Sequence, residues 1–90
     1  SKVYKVDPEF YISLTEGAME FDAMPFPLLI ARLSRCYNVD IQIASKELET
    51  MKFTGVIFRN KPLDFVLDII HRVSDVKFEK KGETILVKKQ

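Results

Sequence analysis

His71 is the single histidine of this 90-residue sequence and the one side chain whose ordinary pKa lies near neutral pH. Asp68 precedes it by three residues and Asp75 follows it by four. On a helix that spacing could assemble an Asp–His general base or part of a metal site. It equally describes a solvated helix face on which Asp68 pairs with Arg72, and no second histidine or cysteine stands at metal-ligand spacing. The solvated face is the expected reading.

Cys36 is the only thiol, so no intrachain disulfide is possible. As a nucleophile it would need a base beside it. It recurs with Leu29 and Leu33 at helical spacing, which predicts a small buried side chain instead. A Cys36–His71 dyad would require helix faces of opposite character to meet. Gly17, Gly55 and Gly82 are far apart and form no phosphate-cradling loop. The sequence therefore assigns no catalytic, cofactor-binding or metal residue. A small enzyme using His71 or Cys36 remains the distant alternative.

What is left is surface. Arg32 and Arg35 form a small basic patch on the first predicted helix, which either is solvated or meets a partner. Leu28 and Phe65 sit off the centre of their helix faces. Such side chains either mark a partner surface or pack beneath a second sheet, and packing is the expected use. Leu28, Arg32, Arg35 and Phe65 are the candidate partner-binding residues.

These positions must be held by a scaffold, and the scaffold is doubled. Residues 21–43 (FDAMPFPLLIARLSRCYNVDIQI) and 58–80 (FRNKPLDFVLDIIHRVSDVKFEK) superpose with an offset of 37. Phe21 falls on Phe58, Pro25 on Pro62, Arg35 on Arg72 and Val39 on Val76. Leu29, Ile30 and Leu33 fall on Val66, Leu67 and Ile70. Each copy reads as a strand end, a proline-started helix and another strand.

The chain is predicted to begin with a linker or short leading strand over residues 1–9, broken by Asp7-Pro8. Phe10, Ile12 and Leu14 alternate as a strand, and a turn through Gly17 returns along Met19 and Phe21 as a hairpin. Pro25 at the first helical position opens a helix that stops at Asn38, a residue tolerant of the left-handed cap. Val39, Ile41 and Ile43 form a strand, and Ser45 caps a helical turn. Residues 53–58 form another strand, with Gly55 marking a bulge or bend.

The second helix, residues 62–74, carries an apolar arc of about 200°, wide enough to be contacted from two sides. A closing hairpin turns at Lys81-Gly82 and ends in Lys88 and Lys89, which read as edge protection. The expected fold is α+β: two βαβ repeats with two helices on small sheets, plus the N-terminal hairpin, with right-handed crossovers.

Composition agrees with one soluble globular domain over residues 10–90: 47% apolar and 30% charged residues. The net charge of +1 argues against a nucleic-acid module, which usually carries a basic excess. No apolar run approaches the length of a membrane span, and there is no signal peptide. The chain opens on Ser1 rather than methionine, as an excised piece of a longer protein would.

The run YISLTEGAMEFDAMP, then YNVDIQI, the KEL turn, KFTGVIF, NKPLDFVLDII and KGETILV resemble the C-terminal domain of FecR-type anti-sigma factors of the Bacteroidetes type, over roughly residues 10–88. The family is related to the secretin/TonB short N-terminal domain, whose repeated βαβ plan the doubling matches. The resemblance implies a periplasmic module of an inner-membrane protein with a single span. Its cytoplasmic part controls an extracytoplasmic-function sigma factor, and its partner is the signalling domain of a TonB-dependent outer-membrane transducer. No catalytic residue or cofactor is implied. The alternative is the N-terminal signalling domain of such a transducer or of a secretin. Leu14, where the family often has Trp, and the starts Met24-Pro25-Phe26-Pro27 and Lys61-Pro62-Leu63-Asp64 depart from the family pattern, leaving both helices without a good cap side chain.

Overall fold

The computed structural model describes residues 17–90. The expected leading strand and the first arm of the N-terminal hairpin lie outside the described residues. Strand β1 (Ala18–Pro25), helix α1 (Phe26–Tyr37) and strand β2 (Asp40–Ile43) are followed by a 3-10 turn, Lys46–Thr50. Strand β3 (Lys52–Phe58), helix α2 (Leu63–Ser74), β4 (Val76–Lys81) and β5 (Thr84–Lys89) complete the order. Both helices have 12 residues, and their ends are offset by the 37 positions of the sequence repeat.

The helix ends show how local sequence sets these boundaries. Asn38 and Asp75, equivalent in the repeat, both take the left-handed conformation, with φ of 54° and 57°. A short polar side chain tolerates that region, and the reversal turns the chain from each helix into the following strand. At the starts, Pro25 and Pro62 occupy the cap position, one residue before the first helical position, and neither helix has a side-chain cap. Tertiary structure compensates in α1: the Phe26 amide, an orphan of the first turn, donates to the Met51 carbonyl at 2.8 Å.

β1 and β3, the leading strands of the two repeats, pair antiparallel as one sheet. The second sheet has the order β2-β5-β4, with β5 parallel to β2 and antiparallel to β4. The α+β class holds, with two βαβ repeats in chain order and two helices on small sheets; what needs correcting is the expected crossover. Each helix carries the chain from one sheet to the other, so neither repeat closes a parallel crossover, and the handedness preference does not apply. β5 is also a central strand, so Lys88 and Lys89 protect no edge. Their ammonium groups meet Glu79 at 3.1 Å and Asp75 at 2.7 Å.

The bulge lies opposite its expected place. Phe21 pairs with Gly55 and Met24 with Phe53, so Asp22 and Ala23 together face Thr54. Ala23 has φ 54°, and its amide donates to Thr54 Oγ1 at 2.9 Å. Gly55 serves packing instead: a Cβ there would lie 3.1 Å from the Phe53 ring.

One core joins the two sheets. Phe26, Leu29 and Leu33 of α1, Val66 and Ile70 of α2, Phe53 and Ile57 of β3, and Val76 and Val87 of the second sheet are buried together. Leu48 of the 3-10 turn is buried with them. Each such side chain contributes roughly 1.5–3 kcal/mol of transfer free energy. Ser45 stands at the start of the turn but does not cap it; its hydroxyl accepts the Lys89 amide at 3.0 Å and ties the turn to β5. α2 touches both sheets, through β3 and β4. Its buried arc is narrower than the sequence pattern suggests, because Phe65 and Val73 at its margins are exposed.

Candidate interaction surfaces

The residues that could do chemistry are kept apart. The half-buried His71 ring donates its Nδ1–H to the Val76 carbonyl, which leaves Nε2 as the free nitrogen. Both neighbouring carboxylates are engaged elsewhere. Asp68 accepts from Arg72 Nε at 2.8 Å, and Asp75 accepts from Lys89 Nζ at 2.7 Å. His71 lines a cleft of about 310 Å³ with Asp64, Asp68, Lys77 and Lys80.

Cys36 lines a different depression and is exposed, which corrects the expectation of a buried thiol. In the last turn of α1 the inward place is taken by Tyr37. Its hydroxyl donates to the Lys61 carbonyl at 2.6 Å and so straps the loop before α2 onto α1. Burial first, and the neighbouring Cys36 second, hold the Tyr37 phenol above its ordinary pKa.

Leu28 is 55% exposed and Phe65 47% exposed, so neither packs beneath a second sheet as expected. They are equivalent in the repeat, and the pair that follows them, Cys36 and Val73, is exposed as well. The doubled fold thus presents the same two positions of each helix to solvent. Leu28, Arg32 and Arg35 share one strip of α1, at helical spacing of i, i+4 and i+7. Phe65 belongs to another surface. With Val56, Phe58 and Ile69 it lines an apolar groove of about 130 Å³ between β3 and α2.

That groove adjoins an open strand edge. Among the described residues β3 pairs only with β1. The other edges are better defended. β1 is interrupted by its bulge, β2 has four residues, and β4 carries Lys77, Lys80 and Lys81. β3 offers seven residues, with Val56 exposed and Phe65 alongside. Sequence reasoning missed Val56, because FTGVIF reads as a strand without showing which of its apolar side chains face solvent. Arg59, in the depression with Arg32 and Arg35, was missed because only tertiary contact brings it there.

A sequence model of the family described as FecR, C-terminal, matches residues 18–87. The chain belongs to the FecR C-terminal family. Two crystal structures of a candidate anti-sigma factor from Parabacteroides distasonis ATCC 8503, at 1.65 and 2.50 Å resolution, are similar to this FecR C-terminal domain in fold. Each is 24% identical with a TM-score of 0.73, and the match covers 93% of this chain. The chain spans 39% of the length of those solved chains. No curated protein sequence matches it. Within the FecR C-terminal domain, Leu28, Arg32 and Arg35 therefore lie together on α1, while Phe65 sits across the fold's second repeat beside β3.

Proposed function

We propose that this domain is the periplasmic, signal-receiving part of a membrane-tethered anti-sigma factor. It recognises the N-terminal signalling domain of a TonB-dependent outer-membrane transducer, and a cytoplasmic part outside this chain holds the sigma factor. The domain works by binding, not catalysis. Family membership supports the regulatory role.

The observation that carries the binding mode is the β3 edge with its groove. An extended partner segment adds to β3 through main-chain hydrogen bonds, and its alternate side chains enter the cleft of Val56, Phe58, Phe65 and Ile69. Calorimetric titration with the signalling domain of the matching transducer tests this. Binding at micromolar concentration is expected. Phe65→Ala is expected to cost about 2 kcal/mol or more, about thirtyfold in Kd, if Phe65 anchors the groove. Absence of heat at high micromolar concentration contradicts the proposal.

A further inference from the structure

Three guanidinium groups gather at one depression of about 420 Å³: Arg32 and Arg35 from α1 and Arg59 from the turn that follows β3. Among the described residues the remaining wall is Met19 and Cys36, with no carboxylate. Among the described residues none of the three arginines pairs with an acid; the carboxylates in ion pairs are Asp64, Asp68, Asp75 and Glu79, all met by other cations. The arrangement is held in place. Arg32 lies over the Phe21 ring, 5.7 Å from its centroid. The Tyr37 hydroxyl, bonded to the Lys61 carbonyl, fixes the loop that carries Arg59. Like charges held close, with no counter-charge among the described residues, favour an anion, and guanidinium groups pair carboxylates with two parallel hydrogen bonds.

The shape selects among anions. A lone phosphate is gripped by donors converging on one point, often backbone amides. Here the donors stand around a shallow, partly apolar basin, and exposed Leu28 continues the strip beyond Arg32. Leu28 and Arg32 are one helical turn apart, about 6 Å along the axis, which two residues of an extended chain span on the same face. We infer that this basin receives an extended acidic segment of a protein partner, with an apolar side chain two residues before a carboxylate. The inference rests on the protein-recognition reading but uses a surface separate from the β3 groove.

The test uses the isotope-labelled 90-residue chain and the peptide acetyl-Ser-Leu-Ser-Glu-Ser-Glu-Ser-amide, with a glutamine-for-glutamate peptide as control. The glutamate peptide is expected to shift the Nε–H signals of Arg32, Arg35 and Arg59 and the amides of Leu28 and Cys36. Its binding should weaken with salt and be about tenfold tighter than that of the control. Arg35→Gln and Arg59→Gln, both at exposed positions, should each weaken it about fivefold, while Phe65→Ser leaves it unchanged. No shift at millimolar peptide, shifts outside the basin, or equal binding of the control overturns the inference. So does displacement of the peptide by equimolar inorganic phosphate, or binding to anionic phospholipid vesicles without binding to the peptide. If the peptide fails while the transducer domain still perturbs β3, this inference falls and the proposed function stands; if both fail, both fall.

Discussion

Ala23 holds a left-handed backbone that its side chain disfavours, at φ 54° in the bulge of β1. An L-residue pays about 1–2 kcal/mol there, and glycine largely escapes it. Ala23→Gly is therefore expected to stabilise the domain by about 1 kcal/mol, less the extra chain entropy of glycine, read as a raised urea midpoint at unchanged slope. Tyr37 gives a second prediction. Its folded pKa lies above the unfolded value of about 10, so its contribution is intact below that pH and is lost as pH rises through the folded value. The phenolate also cannot donate to the Lys61 carbonyl. Tyr37→Phe should cost about 1 kcal/mol near neutrality. The variant should also lose less stability than the parent between about pH 8 and about pH 11; equal alkaline losses would remove this role.

Some residues announce these roles and others do not. Asn38 was legible as a left-handed cap because the preference is local. Cys36 was not, because periodicity places it near the apolar face and only the Tyr37–Lys61 contact shows which neighbour takes the inward place.

At the level of elements, the two helices were readable to within a residue, because periodicity, flanking proline and a left-handed cap are all written in consecutive residues. Strand partners were not. The parallel pairing of β2 with β5 joins Asp40 to Thr84 across about half the chain, and nothing in either strand names the other. That one pairing turns β5 from an edge into a centre and changes what Lys88 and Lys89 are for. The 3-10 turn is the element that locks this sheet to α1. Leu48 is wholly buried between them, and Ser45 accepts the Lys89 amide. Leu48→Ala should cost about 2–5 kcal/mol, and Ser45→Ala about 0.5–1.5 kcal/mol, because the exposed Lys89 amide it releases can turn to water. Amide exchange should then quicken in β5 before it does in β1.

Across the whole molecule, the doubling governs function as well as fold. Equivalent positions are buried in both repeats (Leu29 and Val66, Ile30 and Leu67, Leu33 and Ile70), and equivalent positions are exposed (Leu28 and Phe65, Cys36 and Val73). The sequence showed that pattern as an offset of 37 and singled out Leu28 and Phe65, though it favoured packing beneath a second sheet over exposure. It could not show that tertiary structure sets each member beside a different neighbour: Leu28 beside an arginine basin, Phe65 beside an open strand edge. A duplicated scaffold has thereby acquired two unlike surfaces.

The central claim is that β3 is the edge to which the partner adds. The direct measurement is the amide spectrum of the labelled domain during titration with the transducer's signalling domain. The account predicts contiguous shifts along residues 52–58, with Phe65 and Ile69, and slowed exchange of the β3 amides that face away from β1. Saturable binding that leaves β3 unperturbed and shifts β2 or β4 instead would contradict it.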